Sequence, residues 1–511
     1  MKNNIKILVI ILFISGSLFA QSGQALIKQS IHEQQSNLVD EFRSFLSIPN
    51  VAVNPKGLQE NANWIRDYMK SKGIEEVSLL NLSNSQMPPV VYGEVKVPGA
   101  TETIIFYAHY DGQPVDTSKW FQGLHPFKPT LYSGSYENGA TALPWLTKGN
   151  NYDLNARIYA RGASDDKAGV MAIINAYAQL KALQIKPTVN IKFFFEGEEE
   201  AGSPNLESLL ELYKNKLAAN MWVICDGPVH QSGKKQLVMG VRGDTHLELT
   251  VFGPKRPLHS GHYGNWVLNP AMELVRLLAS MKNEKGEVTI KGFYDDVTPL
   301  TNAEKQALAN IPSVEESLKK ELGINATERQ GALNDALQLP SLNINGIQSA
   351  GVGKLSANVI PTKAIASVDM RLVKGNDWEK QQQKVIDHIR AQGFFVTDKE
   401  PTEEERRLNA KICMVVQDKK SYNAQKTSLD NPYVRRLSKA ISLTNNELPV
   451  ILPTLGGSLP LFVFEKVLHT SPVTVPIANH DNNQHAENEN IKLKNFFEGI
   501  SVFASIMTME K

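Results

Sequence analysis

The stretch NIKFFFEGEEEAGS, Asn190 to Ser203, places four glutamates within five residues directly behind a run of three phenylalanines. Its first half, NIKFFF, has the length and composition of a fully buried β-strand. Three other short apolar runs have the same character: TIIFYA (Thr103 to Ala108), MWVIC (Met221 to Cys225) and VTVPI (Val473 to Ile477). Because helical segments such as Ala168 to Leu183 lie between these runs, the sequence predicts a mainly parallel α/β sheet with covered faces.

A different pattern begins near Gly240. The segments HLELTVFG and AIASVDMRLV alternate apolar and polar residues, which is typical of strands with one solvated face. Helical periodicity in Asn269 to Met281 and in Asp377 to Gln392 accompanies them. We therefore predict a catalytic domain built from residues 21–240 and 400–511, interrupted by an inserted α+β domain at residues 241–399.

Composition limits the possible functions. The chain has 511 residues, a hydrophobic fraction of 42% and a formal net charge of +1, which is typical of a soluble globular protein with two or three domains. A near-neutral chain has no basic field that would attract nucleic acid. We therefore expect a small-molecule or peptide substrate, and no nucleic-acid partner.

The first twenty residues, MKNNIKILVIILFISGSLFA, have the organisation of a secretory signal peptide. Lys2 and Lys6 precede an apolar run, and small residues lead to Ala20. The apolar core is shorter than the roughly 20 residues that span a bilayer, so we expect no stable membrane insertion after cleavage; an uncleaved anchor is the alternative. The sequence thus predicts a periplasmic or secreted protein. Its two cysteines, Cys225 and Cys413, allow one disulfide at most.

Potential metal ligands occur where the predicted buried strands end. The candidates are His109 and Asp111 after TIIFYA, Glu196 to Glu200 after NIKFFF, Asp226 after MWVIC, the loop with His480, Asp481 and His485 after VTVPI, and Asp165 and Asp166 before a predicted helix. Each position alone would be an ordinary capping or loop residue. Because the carboxyl ends of parallel strands meet in one crevice, the whole set indicates a shared site. Mixed histidine and carboxylate ligands suit zinc, manganese or cobalt, and their number favours two divalent ions.

An ordered series of motifs resembles the signature of the M20 metallopeptidases, the group of carnosinase-like dipeptidases, glutamate carboxypeptidase and aminoacylases. The motifs are HYD (109–111), ARGASDDKAG, EGEEEAGS, CDG, LHSGHYG, VIPTKAIASVDMRL, LGGSLP and QHAENE, and the resemblance extends from about Asn37 to the C-terminus. It implies a di-metal α/β catalytic domain interrupted by a ferredoxin-like lid and dimerisation domain, in a homodimer. It also implies a cis peptide bond between Asp165 and Asp166.

The resemblance assigns the metal ligands. It implies that Asp165 bridges two ions, one completed by His109 and Asp226 and the other by Glu200 and His485. Asp111 would hold the second nitrogen of His109 and so fix its orientation.

The resemblance also separates the roles of neighbouring glutamates. Glu199 would be the general base, taking a proton from a metal-bridged water and passing it to the leaving amine. We interpret Glu196 and Glu198 as solvated or structural residues.

Further residues would bind the substrate. The resemblance implies that His259 stabilises the oxyanion in the partner subunit's site and that Arg371 binds the substrate carboxylate, for which a planar guanidinium is suited. Gly457 and Ser458 in LGGSLP would line the same carboxylate pocket. Asn358 in SANVIP is a further candidate for this region.

The segment from Gln113 to Asn155 departs from the family pattern, because it is long and rich in glycine, proline and aromatic residues. We interpret it as a rim loop that shapes the substrate pocket, and we therefore take no particular substrate from any one relative.

We expect an exported di-metal hydrolase that cleaves the amide bond next to a free carboxylate, as a dipeptidase or carboxypeptidase. One alternative is an N-acyl-amino-acid deacylase on the same scaffold. A catalytically silent binding protein of the same fold is the other, and the presence of Glu199 argues against it.

Overall fold

The computed structural model describes residues 23–83 and 86–510. The predicted signal peptide, residues 1–20, lies outside the described residues. Within the described ranges, no helix combines the length and the apolar character needed to cross a bilayer. The chain divides into two compact units. The first comprises the chain up to Met239, Thr427–Leu452 and the chain from Val463 onward, and the second comprises Gly240–Lys426 and Pro453–Phe462.

The strands and helices are numbered in chain order. The strands are β1 (Glu76–Leu80), β2 (Val90–Val95), β3 (Thr103–His109), β4 (Thr130–Tyr132), β5 (Ala142–Leu143), β6 (Arg157–Tyr159), β7 (Asn190–Glu196), β8 (Met221–Ile224), β9 (Gln236–Val238), β10 (Gly240–Phe252), β11 (Leu258–His259), β12 (Ser341–Gln348), β13 (Val359–Ile360), β14 (Lys363–Leu372), β15 (Phe395–Thr397), β16 (Ile412–Gln417), β17 (Gln425–Lys426), β18 (Val450–Leu452), β19 (Leu455–Ser458), β20 (Val473–Thr474) and β21 (Asn490–Lys492). The α-helices are α1 (Gln35–Leu46), α2 (Pro55–Ser71), α3 (Lys167–Ala182), α4 (Leu206–Leu212), α5 (Ser260–Tyr263), α6 (Pro270–Ala279), α7 (Asn302–Ala309), α8 (Glu315–Leu322), α9 (Leu333–Ala336), α10 (Trp378–Ala391), α11 (Glu403–Leu408), α12 (Pro432–Ser442), α13 (Phe462–Leu468) and α14 (Leu493–Met507). Residues 23–33 are also helical.

The first unit is organised around an eight-stranded sheet with the order β1-β2-β7-β3-β8-β20-β9-β18. The four apolar runs of the sequence form its centre, since β7, β3, β8 and β20 are neighbours and run parallel to one another. Every residue from Ile191 to Glu196 in β7 is buried, as expected for a strand with both faces covered. The predicted parallel α/β sheet is thereby confirmed.

Two helices on this sheet show how its core is filled. Helix α3 is apolar over most of its surface and is buried along most of its length. Helix α14 packs against α3, and its Phe503 lies edge-on to Phe106 of β3, with ring centroids 5.9 Å apart. Such a helix, with apolar residues on nearly all sides, is stable only when it is enclosed. A smaller antiparallel sheet, β21-β6-β4-β5, also belongs to this unit.

The second unit contains an antiparallel arrangement of the ferredoxin type. Strands β10, β12, β14 and β16 lie in the order β12-β14-β10-β16. Helix α6 follows β10 and helix α10 follows β14, which gives the βαββαβ sequence of that fold. Leucines of β10 and α6 and aliphatic residues of β14 and α10 share one buried cluster. The predicted second α+β fold is therefore confirmed.

The C-terminal boundary of the inserted unit differs from the prediction. The insertion returns at Lys426 and not at Lys399, because β16 pairs antiparallel with β10 and so belongs to the second unit. The short segment Pro453–Phe462 also belongs there, since its strand β19 pairs with the start of β10. An apolar strand such as ICMVVQ does not reveal by its composition which sheet it will join.

Candidate active site

Four of the five predicted metal ligands lie at or just after the carboxyl ends of the central strands. His109 ends β3, Glu200 follows β7, Asp226 follows β8 and His485 lies in the loop after β20. Asp165 precedes α3, and its peptide bond to Asp166 is cis. Because β3, β7, β8 and β20 are parallel neighbours, the topology brings side chains that are distant in sequence to one edge of the sheet.

These side chains form two groups that share Asp165. One group is His109, Asp165 and Asp226, and the other is Asp165, Glu200 and His485. Asp165 Oδ1 lies 2.8 Å from His109 Nε2, and Asp165 Oδ2 lies 3.0 Å from His485 Nε2. Two further distances are 3.8 Å from His109 Nε2 to Asp226 Oδ2 and 3.4 Å from His485 Nε2 to Glu200 Oε2. His480, the other histidine of the C-terminal loop, is exposed and belongs to neither group.

The cluster holds an excess of buried negative charge. Burial raises the pKa of Asp226 to about 7 and that of Glu200 to about 8, and the charge of Asp165 adds to both shifts. Burial alone would also raise the pKa of Asp165, but the hydrogen bond with His109 and the close imidazole of His485 outweigh it and hold this pKa below its usual range. The carboxylate of Asp165, 3.0 Å away, raises the pKa of His485 to about 9. Several carboxylates in one buried place require compensating positive charge.

The donor set fits divalent metal ions. Asp165 Oδ2 is buried and has no hydrogen-bond donor with acceptable geometry, although His485 Nε2 is nearby. An oxygen in this state is suited to direct ligation, and each ion would receive both nitrogen and oxygen donors, as zinc, manganese and cobalt accept. The residues present are thus able to hold two ions, with Asp165 common to both.

Asp111 contacts the candidate metal ligand His109 and the turn that carries Glu199 and Glu200. This carboxylate is fully buried, and its Oδ1 lies 3.3 Å from His109 Nδ1. Its two oxygens also accept the backbone amides of Glu199, at 3.2 Å, and Glu200, at 2.9 Å. One residue therefore orients the imidazole of His109 and fixes the turn that carries the glutamates.

Neighbouring glutamates in EGEEE face different surroundings. Glu199 Oε2 lies 4.0 Å from His109 Nε2, yet Glu199 is in neither ligand group. Burial and the charges of Asp226 and Glu200 raise its pKa well above the usual range. Glu196 accepts the hydroxyl of Tyr107 at 2.8 Å, and Glu198 accepts the backbone amide of Asn205 at 2.9 Å. Both are buried, so they are structural and not solvated.

Two supporting residues were not identified from the sequence. Glu489 is fully buried and accepts hydrogen bonds from the backbone amides of Gly162, Ser164 and Asp165 and from Arg161. Gln113 donates from Nε2 to Glu200 Oε2 at 2.6 Å. A glutamate or glutamine has no sequence pattern that indicates such a supporting role. The sequence indicated only that both residues are near a motif: Glu489 ends QHAENE, and Gln113 lies two residues after Asp111.

The long segment after Gln113 packs against the loop that carries His485. The backbone amide of Phe121 donates to Asn488 Oδ1 at 2.8 Å, and Asn483 Nδ2 donates to Glu137 Oε1 at 3.1 Å. Trp120, Leu124 and Tyr132 of this segment form a small apolar cluster with Tyr159 of β6. The segment therefore supports the His485 loop; its predicted effect on the substrate pocket stays a prediction.

The predicted substrate-binding residues lie in the second unit. Arg371 Nη1 donates to Ser458 Oγ at 2.8 Å, and Arg371 Nε lies 3.3 Å from Asp369 Oδ1. Gly457 precedes Ser458 on β19.

His259 and Asn358 are also brought together. Strands β11 and β13 pair so that His259 is opposite Val359, and the backbone amide of Ser260 donates to the carbonyl of Asn358 at 3.0 Å. His259 Nδ1 accepts the amide of Gly261 at 3.0 Å, so a neutral ring carries its proton on Nε2.

The fold and the arrangement of the candidate metal-binding residues are those of a metal-dependent hydrolase of the α/β class. The chain belongs to the M20 metallopeptidase family, since the profile described as Peptidase family M20/M25/M40 matches residues 105–509. It is 28% identical to the Cys-Gly metallodipeptidase dug1 of Schizosaccharomyces pombe, over 93% of this chain and 96% of that protein.

Solved structures show the same fold. The M20 family metallo-carboxypeptidase Sso-CP2 from Sulfolobus solfataricus superposes with a TM-score of 0.74 at 28% identity, over 92% of this chain and 98% of that one. Human carnosine dipeptidase 1 gives a TM-score of 0.74 at 25% identity, over 95% and 98% of the two chains. The predicted metallopeptidase class is thereby confirmed.

Proposed function

We propose that this enzyme is a dipeptidase that hydrolyses the amide bond next to a free carboxylate, with Glu199 as its general base. The observation that carries the proposal is the position of Glu199, which is adjacent to the ligand Glu200 and near His109 but outside both ligand groups. The similar proteins named as dipeptidases, dug1 of S. pombe and human carnosine dipeptidase 1, support the choice of substrate class.

The chemistry divides between the ions and the protein. Two divalent ions, zinc being our first choice, would act as Lewis acids that polarise the scissile carbonyl and make water more acidic. Glu199 takes a proton from the attacking water and returns it to the leaving amine. Asp111 keeps His109 in position while charge develops, because it holds both the imidazole and the glutamate turn.

Substrate recognition falls to the second unit. Ser458 and Asp369 hold the guanidinium of Arg371, and a guanidinium fixed in this way is suited to binding a carboxylate. We assign Gly457, Ser458 and Asn358 to the same region. His259, with its Nε2 proton available, is suited to stabilising an oxyanion.

We also propose that the enzyme is a homodimer and is exported. Strand β12 is an edge strand of its sheet, and Ile344 and Ile347 on it are 37% and 57% exposed. An exposed apolar edge strand is a natural place for pairing with a second copy. The signal-peptide pattern of residues 1–20 supports export, and N-terminal sequencing of the mature protein is expected to begin at Gln21.

A substrate panel tests the proposed activity. Purified metal-loaded enzyme is incubated with dipeptides, with the same dipeptides amidated at the C-terminus, and with N-acetyl amino acids. We expect dipeptides to be cleaved and their amides to have about ten- to hundredfold lower kcat/KM, because a charged hydrogen-bonding group is worth about 1.5–3 kcal/mol. Faster release of acetate than of amino acids from dipeptides would indicate a deacylase. No hydrolysis of any compound would indicate a binding protein.

A further inference from the structure

The second unit contains a cavity of about 350 Å³ whose lining includes none of the residues of either ligand group. Its walls are mainly aliphatic and include Val288, Leu318, Leu322 and Leu342. Cavities that bind small molecules have volumes of about 300–1,000 Å³ and largely apolar walls. This cavity is therefore large enough for a small ligand with substantial apolar surface.

One residue of the lining carries a buried charge. Arg242 is 5% exposed, and its Nη2 donates to the carbonyl of Leu339 at 2.8 Å and to Ser341 Oγ at 3.0 Å. These acceptors are neutral, and Arg242 Nε has no acceptor. Burial, together with the nearby charge of Arg371, lowers the pKa of Arg242 to about 10, and the charge of Asp369 opposes this shift without forming a hydrogen bond to Arg242, so the guanidinium still carries its charge at neutral pH.

The acidic residues of the lining do not neutralise Arg242. The ionisable lining residues are four cations and two anions: Arg242, Lys282, Lys319 and Arg329, with Glu315 and Glu328. Glu328 is paired with Lys282, and Glu315 accepts the backbone amide of Leu333 at 3.1 Å. Among the residues that the structure describes, Arg242 thus has only neutral hydrogen-bonding partners.

A buried guanidinium whose hydrogen bonds all go to neutral acceptors is unusual, because taking a charge out of water is costly unless an opposite charge pairs with it. The positive charge of the guanidinium matches the negative charge of a carboxylate, and the aliphatic walls match a hydrocarbon. We propose that this cavity binds an apolar monocarboxylate of the medium-chain fatty-acid type, with the carboxylate on Arg242 and the chain against the leucines. The cavity lining contains no candidate metal ligand and not Arg371 itself, although Arg242 Nη2 also donates to the backbone carbonyl of Arg371 at 3.4 Å.

Calorimetric titration of the metal-loaded full chain with decanoate tests the proposal. We expect one saturable site, and at least about tenfold weaker binding of decan-1-ol, which has the same chain without the charge. Arg242→Gln is expected to weaken decanoate binding by a similar factor. Leu318→Trp, which fills the cavity with a larger side chain, is expected to abolish it.

Two controls distinguish binding in this cavity from binding of a carboxylate elsewhere on the protein. Arg390→Gln removes a cation of the same unit that is exposed and paired with Asp387, and it should leave binding unchanged. If decanoate bound only at the metal centre, Leu318→Trp would bind as the wild type does, and the proposal would be wrong. Absence of saturable binding to the wild type, or equal binding of decan-1-ol, would also overturn it, whatever the folding of the variants.

Discussion

The carboxylate of Glu489 accepts a hydrogen bond from the backbone amide of Asp165 at 3.0 Å, between residues 324 positions apart in the sequence. Glu489 lies four residues after His485, so a single short loop supplies one ligand and fixes the backbone of another. The ion pair of Glu489 with Arg161, at 2.7 Å and fully buried, holds the carboxylate in place.

We therefore predict that Glu489→Gln weakens metal binding. The new amide group would present N–H groups toward backbone N–H donors, and the loss of outer-shell contacts to ligands lowers metal affinity by about 10- to 100-fold. Metal content after dialysis, measured by mass spectrometry, checks this. Glu487→Gln in the same loop is the control, because Glu487 is one-third exposed. Full metal content in Glu489→Gln would contradict the prediction.

Glu199→Gln is predicted to keep both metal ions and to lose turnover by about a hundredfold or more, as expected when a general base is removed. Glu200→Gln provides the matched comparison, because it changes the adjacent residue and should lose metal. The two variants are compared for metal content and kcat. A near wild-type rate in Glu199→Gln would mean that another group acts as the base.

Removal of the metal ions is predicted to lower thermal stability. Without cations, Asp165, Glu200 and Asp226 remain crowded in a buried place. A ligand that binds only the folded state stabilises it by about 2.7 kcal/mol at a hundred times its Kd. Melting curves with a chelator, and again after zinc is restored, measure the effect. Identical curves would show that the cluster is stable without ions.

Arg371→Lys is predicted to raise KM by about tenfold or more while kcat changes little, because a lysine cannot form the paired hydrogen bonds of a guanidinium. Dipeptides amidated at the C-terminus should show no such change, since they lack the carboxylate. Lys363→Gln, at the exposed start of the same strand, is the control. An equal effect on free and amidated substrates would remove Arg371 from carboxylate binding.

Complementation between two inactive chains is predicted to restore activity. If His259 serves the partner subunit, a mixed dimer of His259→Ala and Glu199→Ala chains contains one intact site and one with both defects. Each parent should be about 100- to 1,000-fold impaired, as for the loss of one oxyanion donor worth about 2.7–4 kcal/mol. Differently tagged chains establish subunit exchange. Exchange without recovered activity would place His259 in its own chain's site, or in none.

The centre of the fold was predictable because its strands are apolar on both faces. The runs that became β3, β7, β8 and β20 have few alternatives to burial, and their parallel order places the following residues together. The candidate metal ligands were predictable from their positions at the carboxyl ends of these strands and from the family motifs. The supporting contacts did not follow, because a glutamate in a polar loop, such as Glu489, has no pattern that distinguishes a buried role from a solvated one.

The prediction for Glu196 and Glu198 left open whether they are solvated. Both are buried because each finds a specific donor, in Tyr107 and Asn205 respectively, that the sequence does not reveal. The end of the inserted unit at Lys426 was not predicted for a related reason. The sequence of β16 does not show that its partner is β10, which is distant along the chain.

The order of synthesis imposes a delay on the first unit. The edge of β8 is covered by β20, and the core beside α3 is filled by α14, yet both elements are made after the insertion. The second unit has nearly all of its residues in one continuous stretch, Gly240–Lys426, so it can fold while the first unit still exposes an unpaired strand edge and an open core. A chain interrupted near Leu452 would combine a folded second unit with a first unit open to proteases and aggregation.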